Sequence, residues 1–497
     1  MDYTLTYLKE EIEAYVCAFF ENYKHNRIIS AKAIHDTVLG TNYFQPYEIA
    51  FLDLPIVQRL RRISQTDVAS YVFPSGNHNR YEHTLGVATI AGKFVDAIYR
   101  RNNPLLINHE KSRDYINQHC RIAAILHDVG HGPFSHLSEQ IYTPYLKNIK
   151  NMERFRGASS HEILSYLITT SERLQKFNLD IIKGIYSVDI DLSLVGDMII
   201  GYSEDKPLEV FMVEIINGSF DADKLDYMLR DAHSTGISMT LDFARLLHTM
   251  DVIKKDGKLR LCVDINGVIA LEQIVFNKMT LFTTIYHHHK VRATGCLLKT
   301  IFYQNNNFKF PHSYLYCTDD DVWANDSTQN KNALKYLKNR YLPKRALVIS
   351  SRTIQEGIEH LSEIMNLADD IHDGTNFITM IENLIISEVK KNYGFDLADE
   401  IWIDIPKVPK FKEAITCIIN NFNKTTTLTE IFPIDEWVKA FSQNKWNAFV
   451  FCMPEHCEIV SEVSKTIFEE LFDIEFNEYA QSICKLPLSE DILNTRG

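Results

Sequence analysis

The sequence predicts a mainly α fold: a large helical body followed by a smaller α+β lobe. Two patterns carry that expectation. From about Tyr47 to Thr300 the dominant signal is apolar residues at the spacing of amphipathic helices. Beyond the Asn-, Asp- and Ser-rich stretch NNNFKFPHSYLYCTDDDVWANDSTQN, the runs ALVIS, EIWIDIP and NAFVFCM read as short strands among helices. The expected division is an N-terminal helix at 1–30, a helical body at 31–302 and an α+β lobe at 303–497.

The elements follow in chain order. Between residues 3 and 24, Leu8, Ile12, Tyr15, Val16 and Phe19 recur at helical spacing. RIISAKAIHDTVLGTNYF reads as a short β-hairpin leading into the body. HTLGVATIAGKFVDAIYR is a helix opened by His83, and CRIAAILHDVGHG is an apolar helix ending at His127 and Asp128, where Gly130 and Gly132 break it. SSHEILSYLI starts at a Ser159 or Ser160 cap with His161 in its first turn. ADKLDYMLRDAHSTG is helical up to Gly236, a C-terminal stop. On that helix Asp223, Tyr227 and Asp231 lie four residues apart and share a face flanked by Lys224 and Arg230.

Composition excludes several classes. The 45% hydrophobic and 24% charged content is that of a soluble globular chain, not a disordered one. A net charge of −13 argues against a non-specific nucleic-acid binder, which needs clustered Lys and Arg. An acidic protein acting on an anion must instead gather positive charge locally, and Arg80 and Lys224 are the candidates. The nine cysteines form no CxxC pair, and their odd number argues against a full disulfide framework. Cys452 and Cys457 are close in sequence but lack the second pair a zinc knuckle needs. The acidic N-terminus lacks signal-peptide features, and no uninterrupted apolar stretch is long enough to span a bilayer. A reducing, cytoplasmic setting with no membrane partner is expected.

The chemistry concentrates in four residues: His83 in NRYEHTLGV, His127 and Asp128 in AAILHDVGHGPFSH, and Asp223 in SFDADKLDYMLRD. Two imidazoles and two carboxylates suit one divalent ion, Fe, Mn, Zn or Mg, and leave positions open for water and a phosphate oxygen. Such an ion activates water and polarises a phosphoryl group. The HHH run at 287–289 is a poorer metal tract, because consecutive helical residues point in different directions.

The strings VQRLRRISQTDVASYVFPSGNHNRYEHTLGVATIAGKF, ILHDVGHGPFSHLSE and DADKLDYMLRDAHSTGI resemble the HD-domain dNTP triphosphohydrolases between about Ile34 and Thr300. A bare His-Asp pair would not single out this family, since HD proteins include phosphodiesterases and signalling-nucleotide hydrolases. The resemblance implies metal-dependent hydrolysis of dNTPs to deoxynucleoside and triphosphate, with His83, His127, Asp128 and Asp223 as metal ligands. It implies His136 as proton donor, oriented by Glu139 in an HxxE spacing like that of the bacterial dGTPases, with His131 and His161 on phosphates. Arg80 and Lys224 match triphosphate-clamping positions, Tyr227 and Asp231 flank the sugar, and Gln65 lies near the 3′ hydroxyl. Thr66 departs from the leucine of the vertebrate relatives, which bears on sugar and base selectivity.

Asp53, Arg61 and Lys290 match positions that bind an activating nucleotide, although Met279, Thr284 and Ile285 stand where arginines are expected. A homo-oligomer is implied by resemblance alone. The functional roles implied are control of dNTP pools or antiviral and anti-phage defence. Two other readings remain: an HD phosphodiesterase or nuclease acting on nucleic acid or a signalling nucleotide, and a non-catalytic nucleotide-sensing module.

Overall fold

The structure is a computed structural model that describes residues 4–304, 308, 310–324, 331–368, 377–409, 411, 416–422 and 424–482. Helices dominate it. Helix α1 (Leu5–Phe20) begins where the Thr4 side chain accepts from the Tyr7 N–H, and it buries Leu8, Ile12, Tyr15, Val16 and Phe20. Each such side chain contributes roughly 1.5–3 kcal/mol by leaving water. Strands β1 (Lys32–Asp36) and β2 (Gly40–Phe44) pair antiparallel as the expected hairpin. The Asp36 carboxylate closes its turn, one oxygen accepting the Val38 and Leu39 N–H groups at 2.7 Å each.

The helices that carry the motifs form the centre of this part. Helix α2 (Arg80–Arg100) is buried along most of its length, with Val87, Ile90 and Phe94 fully enclosed, and it packs against α3 (Arg113–Leu126) and α6 (Ala222–Thr235). Between them in sequence come α4 (His136–Tyr142) and α5 (Ser160–Thr169). Local cap chemistry sets their ends. Asn79 accepts from the Glu82 N–H, Ser159 and Glu162 form a reciprocal capping box, and Asp221 accepts from the Lys224 N–H. Gly236 stops α6 at φ +74°, a left-handed conformation that favours glycine.

One stretch departs from the helical expectation for 47–300. Strands β3 (Met250–Lys255) and β4 (Lys258–Asp264) form an antiparallel hairpin around Asp256–Gly257, both at positive φ. An Asp-Gly pair between alternating apolar residues is a hairpin signal, and here it outweighs the surrounding helical pattern. After α7 (Val268–Leu281), the chain reaches α8 (Asp319–Ala324). The helical run Ile265–Tyr286 reaches membrane-span length and contains an 18-residue window of mean hydropathy 1.2, but Glu272 and Lys278 interrupt it and 56% of that window is buried. It is a core helix by burial, with Leu271, Ile274, Val275 and Leu281 enclosed.

Packing divides the chain into two units, the first being Met1–Leu281, Asn305–Asp326 and Phe411–Asp435. The expected lobe at 303–497 therefore returns two segments to the first unit. One of them supplies β7 (Ile418–Asn421) and β8 (Lys424–Thr427), with β7 pairing parallel to β4 in a four-stranded sheet of order β3-β4-β7-β8. The second unit is Phe282–Gln304, Ser327–Lys410 and Glu436–Gly497. It holds the three strands expected from ALVIS, EIWIDIP and NAFVFCM: β5 (Lys344–Ile349), β6 (Ile401–Asp404) and β9 (Ala448–Cys452). They form an antiparallel sheet of order β5-β9-β6, and its core includes Leu347, Val450 and residues of α9 (Phe377–Tyr393) and α10 (Cys457–Phe472).

Candidate active site

The first unit brings the four expected metal ligands together. His83 lies in the first turn of α2, His127 caps the C-terminus of α3 with Asp128 next to it, and Asp223 lies in the first turn of α6. His83 Nε2 is 2.9 Å from an Asp223 oxygen and 3.7 Å from an Asp128 oxygen; His127 Nε2 is 3.3 Å from Asp128 and 3.9 Å from Asp223.

The tautomers are set from behind. His83 Nδ1 donates to Asp226 at 2.8 Å, and His127 Nδ1 donates to the Ala124 carbonyl at 2.7 Å. A carbonyl only accepts, so the proton of neutral His127 is on Nδ1 and its Nε2 carries the lone pair. Both Nε2 atoms are buried and face the Asp128 and Asp223 carboxylates without a well-aligned hydrogen bond. Two orphaned imidazole nitrogens facing two carboxylates fit a divalent cation, because otherwise their desolvation goes uncompensated. Burial alone would hold His83 neutral, yet the carboxylates of Asp223, Asp226 and Asp128 push its pKa up to about 10. Three carboxylates around one buried imidazole concentrate negative charge in the pocket, and a cation is its natural counterweight. Mn²⁺ at about 100-fold excess over its dissociation constant is expected to stabilise the protein by about 2.7 kcal/mol, read as a rise in Tm that a chelator reverses.

The GHGPFSH turn beside this centre, residues 130–136, is folded under constraint. Gly130 is required by close approach: a Cβ there would lie 2.3 Å from the His161 carbonyl oxygen and 2.5 Å from the Ser165 nitrogen. The approach of α5 stacks His161 on His131, ring centroids 3.8 Å apart. Phe134 and Ser135 both take φ +51°. Asp319 of α8 stabilises that strained pair, accepting the Phe134 N–H at 2.7 Å and the Ser64 N–H and hydroxyl at 2.8 and 2.6 Å. The Ser135 hydroxyl in turn accepts from Arg80 Nε at 2.8 Å.

Arg80 is 3% exposed and serves two directions. Its Nη1 donates to Asp128 at 2.7 Å, while its Nη2 is buried with no hydrogen-bond partner. A guanidinium N–H left unmade in the interior points to an anion.

His131, His136, Glu139 and His161 form a second cluster, with donor atoms within 4.8 Å of one another. Glu139 is its hub. One oxygen accepts the Ser160 and His161 N–H groups at 2.8 and 3.1 Å; the other meets His136 Nδ1 at 2.9 Å and His161 Nδ1 at 3.0 Å. The extra methylene relative to aspartate thus reaches both histidines. Burial works to raise the Glu139 pKa, but His161 and His136 hold it well below the ordinary carboxylate value. Burial works to lower that of His161, but Glu139 outweighs it and holds it above 6.5. His131 is pushed well below 6.5 by burial, Arg80 and His161.

A stability profile follows from the His161–Glu139 pair. The His161 share is fully present below 6.5 and is lost as pH rises through its raised folded value. The Glu139 share is present above 4.5 and is lost as pH falls through its depressed folded value. The Tm gap between the parent and Glu139→Gln is therefore expected to be widest at about pH 5–6 and to narrow towards pH 9, as thermal melts would show.

The expected sugar-side residues are also placed. Asp231 meets His78 Nε2 at 2.8 Å, and the Gln65 N–H donates to the His78 carbonyl at 3.0 Å, so His78 joins these two positions. Gln65 Oε1 is buried without a hydrogen-bond partner. Tyr227 is half-buried on the face of α6 that carries Asp223, and Lys224 Nζ contacts the Gly218 carbonyl at 2.9 Å and Asp221. The activator candidates divide between the two units. Asp53 and Arg61 belong to the first unit, the Arg61 guanidinium lying 3.7 Å over the Tyr81 ring, and Lys290 belongs to the second. There Lys290 titrates below its ordinary value through burial and the like charges of Lys344, Arg345 and Arg340. Residues 287–289 appear in neither metal-compatible cluster found among the described residues.

Sequence reasoning missed His78, Ser135, Asp226 and Asp319. For His78 a signal existed in its place two residues before Arg80. For Asp319, which acts from 185 positions beyond Phe134, no local pattern gave one.

Residues 80–200 match the HD domain, and residues 241–479 match the HD associated region. The chain belongs to the HD-domain family. Its relatives extend the match beyond the motif. It is 26% identical over 391 residues to the deoxynucleoside triphosphate triphosphohydrolase SAMHD1 homolog of Dictyostelium discoideum, covering 75% of this chain and 70% of that protein. An uncharacterized protein of Methanocaldococcus jannaschii is 26% identical over 443 residues, 87% of this chain and 81% of its own length. The human deoxynucleoside triphosphate triphosphohydrolase SAMHD1 is 30% identical over 269 residues, 52% of this chain but only 42% of the human protein. This HD-domain protein is thus similar to a dNTP triphosphohydrolase homolog over 75% of its length.

Proposed function

We propose that this HD-domain protein hydrolyses dNTPs to deoxynucleoside and inorganic triphosphate. The observation that carries the reading is the pair of orphaned Nε2 atoms on His83 and His127 facing Asp128 and Asp223, beside the unpartnered Nη2 of Arg80. Those four residues would hold one divalent ion, Fe, Mn, Zn or Mg, which when bound polarises the α-phosphate and lowers the pKa of a bound water.

The remaining chemistry belongs to the chain's own side chains. Water attacks the α-phosphorus, the bond to the 5′ oxygen breaks, and that oxygen takes a proton. His136, exposed at 57% of its side chain and oriented by Glu139, supplies the proton. Arg80 and Lys224 carry the positive charge for the triphosphate, while His131 and His161 hold phosphate oxygens. Tyr227 lies under the ribose, and Asp231 and Gln65 take the 3′ hydroxyl.

An activating nucleotide belongs to the same proposal. It is supported in the second unit by the like-charged group of Lys290, Lys344, Arg345 and Arg340, which an anion would relieve. Asp53 and Arg61 offer a second position in the first unit. The proposal places the enzyme in the cytoplasm as a homo-oligomer that limits dNTP pools or restricts virus or phage.

The test is product analysis of purified protein with Mn²⁺ and each dNTP and NTP in turn, with and without GTP. Triphosphate with deoxynucleoside is the expected product. Cleavage of oligonucleotides or cyclic nucleotides with no mononucleotide turned over would replace this reading with a phosphodiesterase.

A further inference from the structure

His83 is held by a chain of buried charges that ends outside the active site. Its Nδ1 donates to Asp226 Oδ2 at 2.8 Å. Arg230, one turn further along α6, grips the same carboxylate through Nε at 2.8 Å and Nη2 at 2.9 Å. That Nη2 also donates to Asp36 Oδ2 at 2.8 Å. None of these four residues is more than 9% exposed, and Arg230, at 1%, is among the largest fully buried side chains of the described residues.

The fold makes room for this chain at one point. A Cβ on Gly86 of α2 would lie 1.8 Å from Asp226 Oδ1 and 2.4 Å from Arg230 Nη2. Glycine there lets the carboxylate and guanidinium lie flat against the helix that carries His83.

Asp36 connects two tasks. Its Oδ1 closes the β1–β2 turn through Val38 and Leu39, and its Oδ2 receives Arg230. Turn closure and Arg230 docking therefore share one carboxylate. A guanidinium bridging two carboxylates has a fixed planar geometry, so the place of Asp36 constrains Asp226 and, through it, the imidazole ring.

We infer that Asp36 is a positioning residue for the metal centre, and that the N-terminal hairpin sets the orientation of His83 through Arg230 and Asp226. The inference rests on the reading of His83 as a metal ligand. Partners behind a ligating histidine typically change metal affinity about 10–100-fold when removed. Asp36→Asn isolates the effect: its amide oxygen still closes the turn, while its NH₂ group cannot accept from Arg230.

The test measures Mn²⁺ affinity by calorimetry and the visible spectrum of the Co²⁺-loaded protein, alongside Tm. Asp36→Asn is expected to weaken Mn²⁺ binding about 10-fold and to shift the Co²⁺ bands. Ile12→Ala, a destabilising change in the core side of α1, is expected to lower Tm while leaving both readouts as in the parent. Arg230→Lys, which keeps the charge but cannot bridge two carboxylates, is the second variant should Asp36→Asn fold poorly, and the same weakening is expected. Unchanged affinity and spectrum in the folded variants would overturn the inference, as would an equal loss in Ile12→Ala. A parent protein that binds neither Mn²⁺ nor Co²⁺ would overturn the metal reading itself, and this inference with it.

Discussion

His127→Ala combined with Asp128→Ala is expected to lower triphosphate release by at least about 10³-fold, a barrier increase of about 4 kcal/mol. The two residues supply half of the proposed ligand set, and Asp128 also pairs with Arg80, so the double change disturbs metal and phosphate contacts together. It also leaves a buried guanidinium without its carboxylate, which destabilises the fold. A companion separates the two effects. His127→Gln keeps a polar side chain at the end of α3 and leaves the Arg80–Asp128 pair intact. Its expected result is near-parental Tm, lost response of Tm to Mn²⁺, and lost turnover. The readouts are metal content, Tm with and without Mn²⁺, and triphosphate released per dNTP consumed. Parental turnover in His127→Gln would remove the metal-centred reading.

What the sequence revealed and what it hid divide along the range of the interactions. The helices bearing His83, His161 and Asp223 begin at Asn79, Ser159 and Asp221, and such caps are written within three or four residues of the helix start. Asp223, Tyr227 and Asp231 share a face by helical period alone. The Nδ1 partner of His127 is a carbonyl three residues back and is implied by the helix itself. By contrast, Asp319 restrains a turn 185 positions away, and β7 joins β4 from 156 positions on, as Val263 and Ile419 show. Pairings at that range depend on how the whole chain packs and leave no periodic trace. The hairpin at 250–264 is a different case: Asp256–Gly257 was a visible turn signal that helical context masked.

Arg230 shows how far a side chain can lie from its first impression. In the sequence it flanks the polar face of α6; in the fold it is 1% exposed between Asp226 and Asp36. Arg230→Met, close in volume and apolar, is expected to destabilise the protein by about 3–5 kcal/mol, because removing one partner of a buried ionic network leaves uncompensated charge. Here two carboxylates would be left, one of them still bonded to His83, and Gly86 leaves no space for them to move towards α2. Surface arginines such as Arg245, half exposed and paired with Asp242, provide the contrast, since pairs of that kind are worth about 0–1 kcal/mol. Denaturant melts of Arg230→Met and Arg245→Met should therefore separate by several kcal/mol. A loss below about 1 kcal/mol in Arg230→Met would mean that Asp36 and Asp226 are readily rehydrated or neutralised, and the charge chain would then contribute little to holding the hairpin on the body.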